Sequence, residues 1–365
     1  MQGLYLKTFF CMALIAVVCS APSRGETESA AVDFSDKTIE FIVPYVAGGG
    51  TYAWAESVLP YFEKYLPGNP KVVISSKPGG NGSKAANEYS EKAPLDGSSV
   101  LVTAASNQLS FLLGDSRVRY DFSQWRPLLA YRSGGVVYTS DEMGVKNVQE
   151  FLDMPDRHLV MASMGPTSDD LFVLMAFDLL NINVSSIFGS PGRGSARKIF
   201  MRGEANMDFQ TTASYMANVK PDENRGKAVP LFTLGSFDKD MNYIRDPMFP
   251  QLPNVLEVYE MVHGEPPSGE AWEAWRSLLR AGQGSLKLLV LPQETPEDIV
   301  NAYHMAVQRM LENPEFQATV VPRLGKRAML GGLDAEKLMQ DRSIISDKHR
   351  NWITNWIYRR YGVRL

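Results

Sequence analysis

The segment Thr38–Thr51, TIEFIVPYVAGGGT, constrains the fold more than any other part of the chain. Ile39, Phe41 and Val43 follow one another at every second position, which predicts a strand of a largely buried sheet. Three consecutive glycines follow, and an amphipathic segment begins at Thr51. Glycines let a ligand approach the backbone closely, and the N–H groups at a helix start attract anions. The segment therefore predicts a strand, a turn and a helix start that together can bind an anion.

The first 25 residues are interpreted as a signal peptide. Lys7 is the only charge among residues 1–21, Phe9–Val18 is apolar, and the small residues Ser20 and Ala21 follow. This order is typical of a secretory signal, and the apolar run is too short to span a membrane. We expect an exported protein without a membrane-spanning helix.

Two processing routes remain open for this segment. Cys19 is compatible with a lipoprotein, but Val18 before it is bulky where lipoproteins have a small residue. The prediction is ordinary cleavage, with a mature start between about Pro22 and Ala31 and no lipid. Both cysteines, Cys11 and Cys19, lie in the signal, which excludes disulfides, thiol catalysis and a cysteine-ligated metal in the mature chain.

Composition narrows the classes of function further. The 365 residues suggest about two domains, and the net charge of −4 is spread along the chain, which does not indicate a nucleic-acid surface. The four histidines lack the spacing of a metal site, and no nucleophile elbow, P-loop or dinucleotide turn occurs. We expect no cofactor, no metal and no catalysis.

Repeated strand, turn and helix segments predict a parallel sheet with helices on its faces. Pro60 is expected to kink or split the first helix, and Ser106–Gln108 is expected to be a loop. Thr167 or Ser168 is the predicted cap of the helix that contains Leu171–Leu179. The chain from Asp334 onwards is expected to be helical.

Three motifs in the first 110 residues resemble those of a known family. They are VPYVAGGGT at 43–51, KPGGNGS at 77–83, and APLDG at 93–97 leading into VLVTAASNQL at 100–109. In this order they are similar to the turns of the tripartite tricarboxylate transporter solute-binding family, the Bug receptors. The segments SMGPTSDDL at 163–171 and GRGSARKIFMRGEANMDF at 192–209 resemble its second-lobe motifs more loosely, as do LPNVLE and LVLPQETPEDIV.

The resemblance implies an α/β fold of the periplasmic binding protein type II. Two α/β lobes with a cleft between them would be joined by crossover segments near Leu128–Tyr138 and Val229–Ser236. Lobe 1 would consist of residues 31–135 plus 236–365, and lobe 2 of residues 136–235. Ligands of the family are mostly carboxylates held by backbone N–H groups and water, which agrees with the anion site expected from the glycine turns.

The expected ligand-binding residues lie on turns of both lobes. One wall comprises Tyr45, Ala47, Gly48, Gly49, Gly50 and Thr51, and the floor comprises Gly79, Gly80, Gly82, Thr103, Ser106 and Asn107. From lobe 2, the expected residues are Gly165, Thr167, Ser168, Asp170, Gly192, Arg193 and Gly194.

The chain departs from the family pattern at Tyr52, Ser76, Asn81, Asp170 and Asn206. The large Tyr52 either narrows the cleft or stacks on an aromatic ligand, or it is a surface tyrosine. Similarly, Arg193 either pairs with a distal carboxylate of the ligand or is exposed.

The predicted function is capture of a small organic acid and its delivery to the subunits of a tripartite tricarboxylate-type membrane transporter, by a monomer. One alternative is a ligand-loaded sensor that signals to a membrane partner, because sensing needs the same cleft. Another alternative is an exported enzyme with Asp170 as a general base, although no activated nucleophile accompanies it.

Overall fold

The structure is a computed structural model that describes residues 32–155, 157–238, 241–284, 287–324 and 329–365. The predicted signal peptide and its cleavage site lie outside these residues. Within the described part of the chain, no helix is both long and apolar enough to cross a membrane.

The strands are β1 (Thr38–Val43), β2 (Lys71–Ser76), β3 (Ser99–Val102), β4 (Arg126–Tyr131), β5 (Gly135–Ser140), β6 (Leu159–Ala162), β7 (Val184–Ile187), β8 (Met207–Thr211), β9 (Ala228–Thr233), β10 (Ser236–Phe237), β11 (Tyr243–Ile244), β12 (Lys287–Leu291) and β13 (Met329–Gly331).

The α-helices are α1 (Gly50–Tyr65), α2 (Ser83–Lys92), α3 (Ala105–Leu112), α4 (Val148–Asp153), α5 (Leu171–Leu179), α6 (Arg193–Met201), α7 (Thr212–Asn218), α8 (Lys220–Asn224), α9 (Val255–His263), α10 (Gly269–Gly284), α11 (Glu297–Glu312), α12 (Pro314–Thr319), α13 (Val321–Leu324), α14 (Leu333–Arg342) and α15 (Asp347–Tyr361).

The first sheet has six strands in the order β13-β4-β12-β3-β1-β2. Strands β2, β1 and β3 are parallel, as the strand, turn and helix pattern predicts. However, β12 is inserted antiparallel between β3 and β4, and β13 pairs antiparallel with β4. The predicted parallel arrangement therefore holds for β2, β1 and β3, whereas chain segments far apart in sequence complete the sheet with antiparallel strands.

The second sheet has five strands in the order β7-β6-β8-β5-β9. Strands β7, β6 and β8 are parallel, whereas β5 and β9 are antiparallel to their neighbours. The chain passes from the first sheet to the second between β4 and β5, and β12 returns it to the first. These two sheets with their helices confirm the predicted two-lobe α/β fold.

The lobe boundaries at residues 135 and 236 stay a prediction. Strand β12 and helix α11 pack in the core of the first sheet, as the discontinuous lobe 1 requires. Helices α10 and α15, which the same prediction assigns to lobe 1, instead share a core cluster with α5 and the second sheet. Trp275 and Trp356 fix this packing through indole hydrogen bonds to Phe172 O (2.8 Å) and to the Asp178 carboxylate (2.9 Å).

Local expectations differ from the structure at several elements. Helix α1 continues through Pro60 without splitting, since that residue is on the exposed side, where water can take the place of the missing hydrogen bond. Ser106–Gln108 is helical within α3 rather than a loop. The cap of α5 is Asp170, not Thr167 or Ser168. The C-terminal helical region is divided into α14 and α15.

Candidate functional site

The start of α1 leaves backbone donors available at the end of β1. The helix begins at Gly50, and its N-cap residue, Gly49, has no side chain to accept a hydrogen bond. The first backbone hydrogen bond of the helix runs from Ala53 N to Gly49 O at 3.0 Å. The amides of Gly50 and Thr51 thus keep the partial positive charge that favours an anion at a helix start.

Position 50 needs a glycine because a neighbouring side chain leaves no room for a Cβ, not because of the backbone angle. A Cβ at this position would lie 2.7 Å from Thr211 Oγ1, which is closer than atoms pack. At Gly49, by contrast, the φ of −86° suits any residue, and a Cβ would meet nothing nearer than 3.6 Å. The side chain of Thr211, at the end of β8 in the second sheet, therefore lies directly over the start of α1.

The glycine turns of the two lobes are in contact. A Cβ on Gly194 would lie 2.7 Å from Gly48 O, and one on Gly192 would lie 3.2 Å from Val46 Cγ2. Gly192 and Gly194 flank the first residue of α6. The starts of α1 and α6 therefore face each other at van der Waals distance, which is a closed arrangement of the cleft.

A cavity of about 20 Å³ lies between these two helix starts. One water molecule needs at least about 10–15 Å³ by the same measure, so a ligand of several atoms requires the lobes to separate. The residues that line the cavity are Tyr45, Val46, Gly49, Gly50, Thr51, Ala104, Met164, Asp169, Gly192, Arg193, Thr211 and Lys287.

Lys287, the first residue of β12, places a buried ammonium in this cavity. Only 2 % of Lys287 is exposed, and its Nζ lies 5.8 Å from the ring centroid of Tyr131. A Cβ on Gly50 would be 3.9 Å from Nζ, so the ammonium lies beside the start of α1. Burial lowers the pKa of Lys287 to about 8, and the charge of Asp169 opposes this shift.

Asp169, just before α5, brings a carboxylate to the same cavity. Burial raises its pKa to about 6, and the neighbouring charge of Asp170 adds to the rise, while Arg193 and Lys287 act against it. Its backbone N–H donates to Ser106 Oγ at 3.1 Å, which links the second-sheet side to α3. At neutral pH Asp169 is ionised, because the pH is then above its pKa.

Arg193 has neither of the arrangements expected from sequence. It is buried, and its Nη1 lies 3.2 Å from Asp170 Oδ1, while Nη2 pairs with Asp208. The Nη1 group also donates to Ala162 O at 3.0 Å, and Nε donates to Phe209 O at 2.9 Å. Burial opposes its charge, but Asp170 and Asp208 raise the pKa of Arg193 overall. The guanidinium thus joins elements of the second lobe and is not free to hold a distal carboxylate.

The carboxylate of Asp170 is likewise held by partners within the protein. Its Oδ2 accepts from Ser163 Oγ and from Met164 N, both at 2.7 Å, and its Oδ1 pairs with Arg193. A carboxylate held in this way is a poor general base, because Oδ2 already accepts two hydrogen bonds and Oδ1 is ion-paired with a buried guanidinium. This geometry weakens the hypothesis of an exported enzyme that rested on Asp170.

The expected floor residues surround the cavity without lining it. Gly79 and Gly80 lie on the second turn, outside the lining, while Gly82 packs against Tyr45 Oη and Asn107. Asn107 accepts from Tyr45 Oη at 3.1 Å and so supports a lining residue from behind.

The remaining predicted residues have supporting positions. Ala47 and Gly48 are exposed at the rim, and Ser168 Oγ donates to Gly165 O at 2.7 Å within the turn before α5. Thr103 Oγ1 accepts from Leu288 N at 3.2 Å, next to Lys287. Of the predicted set, the structure brings six to the cavity: Tyr45, Gly49, Gly50, Thr51, Gly192 and Arg193.

Residues that depart from the family pattern make hydrogen bonds or packing contacts within the protein. Asn81 Nδ2 donates to Thr167 Oγ1 at 3.1 Å, which connects the second turn to the other lobe. Asn206 accepts from Val160 N at 2.9 Å and donates to His158 O at 2.8 Å, joining β6 to β8. Tyr52 is half-buried against the first core and is not among the lining residues.

Sequence reasoning missed the three polar residues that complete the cavity. Asp169 directly precedes a residue that the sequence did select, so its neighbourhood gave a signal. Lys287 and Thr211 carry no local motif, and their positions depend on β12 entering the first sheet and β8 lying in the middle of the second. Among the described residues, no cluster of histidine, cysteine, aspartate or glutamate could hold a metal ion.

Solved structures, but neither family models nor curated proteins, show what this chain is similar to. No protein-family model matches the chain, and no curated protein is significantly similar in sequence. Solved structures, however, match at high probability. The chain is similar to the periplasmic binding protein BugD, with 17 % identity, a TM-score of 0.65, and coverage of 90 % of this chain and 99 % of BugD.

Two further neighbours were solved with ligands. MatC from Rhodopseudomonas palustris with bound malate has 19 % identity, a TM-score of 0.64, and coverage of 88 % of this chain and 100 % of MatC. Rpa4515 from R. palustris with adipate has 15 % identity, a TM-score of 0.67, and coverage of 91 % of this chain and 99 % of Rpa4515. At these identities the likeness shows the fold, and it is the periplasmic binding protein fold that the sequence motifs predict.

Proposed function

We propose that this protein binds a small carboxylate in the cleft between its lobes, outside the cytoplasm, and delivers it to a tripartite tricarboxylate-type membrane transporter. The sequence motifs, the fold and the solved neighbours with malate and adipate all support this class of ligand. The proposal includes export by the predicted signal peptide, a monomeric protein and no turnover of the ligand.

The observation that carries the proposal is the uncapped start of α1 beside a buried cation. Gly50 and Thr51 present backbone N–H groups, Lys287 presents an ammonium, and Thr211 Oγ1 is buried without a hydrogen-bond partner among the described residues. An unpaired buried hydroxyl costs about 1–3 kcal/mol, which a bound carboxylate oxygen would recover. Together these groups support the anion site that the glycine turn predicts.

The contacts across the cleft support a binding cycle of opening and closing. Gly48 touches Gly194, Asn81 bonds to Thr167, and Asp169 bonds to Ser106. Apolar packing also crosses between the lobes, because Met164 and Ala213 belong to the core of the first sheet. The polar contacts at the cleft are ones that a hinge can break to admit the ligand and form again over it.

Direct binding measurements test the proposal. The chain without residues 1–31 is titrated calorimetrically and by thermal shift with propionate, succinate, malate, adipate and citrate. A ligand at 100 times its dissociation constant stabilises the fold by about 2.7 kcal/mol, which gives a measurable rise in melting temperature. Absence of binding to every carboxylate would contradict the proposal.

Delivery is tested in cells that produce the protein naturally. Deletion of its gene is expected to reduce uptake of the carboxylate identified in vitro. Unchanged uptake together with a lost transcriptional response to that carboxylate would support the sensor alternative instead.

A further inference from the structure

Two buried side chains of opposite charge line the cavity without pairing with each other. Lys287 is 2 % exposed and Asp169 is 7 % exposed. Neither forms an ion pair with the other within the part of the chain that the structure describes, although each influences the pKa of the other. The side-chain hydrogen bond to Asp169 is a long one of 3.4 Å from Ser106 Oγ.

Two charges that are buried without a direct partner are costly, since each has lost water and gained little in return. Both groups nevertheless remain charged at neutral pH, between the pKa of about 6 for Asp169 and that of about 8 for Lys287. The chain therefore maintains an ammonium and a carboxylate that line the same small cavity. A ligand that contacts both groups would offset the cost of burying each charge.

The surroundings of the two charges differ. Lys287 lies with Gly50 and Thr51, whose N–H groups donate, and with the hydroxyl of Thr211, so a carboxylate fits on this side. An ionised Asp169 only accepts hydrogen bonds, so it repels a carboxylate and requires a donor such as a hydroxyl or an ammonium.

On the basis of the carboxylate-binding function above, we propose that the cavity selects carboxylates that carry a hydrogen-bond donor on the adjacent carbon. Lys287, with the start of α1, binds the carboxylate, and Asp169 accepts from the hydroxyl or ammonium group. The ligand class is thus an α-hydroxy or α-amino acid rather than a simple fatty or dicarboxylic acid.

Matched ligand triplets test this selectivity without any mutation. Propionate, lactate and alanine differ only at the α-carbon, as do succinate, malate and aspartate. In at least one triplet, we expect the hydroxy or amino acid to bind about 10- to 100-fold more tightly than the plain acid, the range of one hydrogen bond to a charged group. The hydroxy and amino members identify which donor is preferred.

Two variants assign the roles, with circular dichroism to confirm folding. Asp169→Asn is expected to reduce the preference within the triplet to less than about threefold, because the amide no longer demands a donor. Lys287→Met is expected to weaken all members of the triplet together. Lys337→Met and Asp341→Asn, at exposed positions of α14, are the matched controls. They should change neither the preference within the triplet nor the affinity for its members.

The outcomes separate this inference from the proposed function. If a plain acid binds as tightly as its hydroxy and amino counterparts in both triplets, or if Asp169→Asn folds and keeps the full preference, the inference is overturned while carboxylate binding stands. If none of the acids binds, the proposed function itself fails.

Discussion

Arg193 and Lys287 are two buried cations that line one cavity, yet their surroundings are opposite. Arg193 pairs with Asp170 and Asp208 and donates to backbone carbonyls. Lys287 rests on the ring of Tyr131 and has no ion pair with any carboxylate among the described residues. The difference indicates that the arginine is used by the fold, whereas the lysine is available to a ligand.

This comparison also shows what a sequence motif identifies. Arg193 lies in a glycine turn that resembles a family motif, and it is a structural clamp of the second lobe. Lys287 lies in no glycine turn, and it carries the charge that the proposed anion site needs. The motif located the cavity, but the cation that we propose for the ligand lies outside the motif.

The largest expected effect is the loss of stability when the clamp is removed. Arg193→Met leaves Asp170 and Asp208 buried without their cation, so we expect the free energy of unfolding to fall by about 3–5 kcal/mol. Urea unfolding measures this change. Arg202→Met is the control, because the pair of Arg202 with Glu204 is exposed to solvent and its loss should leave the free energy of unfolding nearly unchanged. A loss below about 1 kcal/mol for Arg193→Met would contradict the role of a clamp.

The second prediction is that Lys287→Met has the opposite effect on the free protein. Methionine fills a similar volume and removes a buried charge, so we expect unchanged or higher stability. Any gain should shrink as the pH rises from about 8 to 10.5, because the folded pKa of about 8 is below the reference value of 10.5 and the unfolded state then binds more protons. Affinity for the carboxylate should meanwhile fall about 10- to 100-fold.

Urea unfolding at several pH values and calorimetric titration check these two effects. Strong destabilisation of Lys287→Met at pH 7 would show that the lysine, too, is needed by the fold.

The third prediction concerns the pH dependence of binding. The free protein loses the proton of Lys287 above its pKa of about 8, so affinity for a carboxylate should fall by up to about tenfold per pH unit there. The other groups that face it keep their charge in this range: Asp169 stays ionised, Arg193 stays protonated, and burial raises the pKa of Tyr131 so that it stays neutral. Titrations from pH 7 to 9.5 measure how the affinity changes with pH, and the affinity of Lys287→Met should stay constant over this range. A flat profile for the unmodified protein would remove Lys287 from the site.

The smallest expected effect is that of Thr211→Val. This change keeps the shape but removes the unpartnered buried hydroxyl, so the free protein should be equally stable or slightly more stable. Binding should weaken by about 1.5 kcal/mol, the lower end for one hydrogen bond to a charged group, because the amides of Gly50 and Thr51 and the ammonium of Lys287 still hold the carboxylate. Calorimetry measures the loss, with Thr319→Val on the exposed side of α12 as the control. Unchanged affinity would place the carboxylate away from Thr211.

Much of the fold could be predicted from the sequence, because alternating apolar residues and glycine turns are local signals. The strand β1, its turn and the start of α1 lie where the pattern predicts them. The arrangement of β12 and β13 could not be predicted in this way, since their partners are more than a hundred residues away along the chain.

The same limit applies to the site. Gly49, Gly50 and Thr51 were predicted because a strand, a glycine turn and a helix start follow one another directly in the sequence. Lys287 and Thr211 were missed because their proximity is created by the order of strands in two sheets. The missed residues give the cavity an ammonium without an ion pair among the described residues and a hydroxyl without a hydrogen-bond partner there.

The most direct test of the account is a crystal structure of the protein with its tightest-binding carboxylate. We predict that one carboxylate group lies at the start of α1, with its oxygens about 2.7–3.2 Å from the amides of Gly50 or Thr51 and from Lys287 Nζ. Arg193 should keep its bonds to Asp170 and Asp208. A carboxylate bound by Arg193, or bound outside the cavity between the two glycine turns, would contradict the central claim.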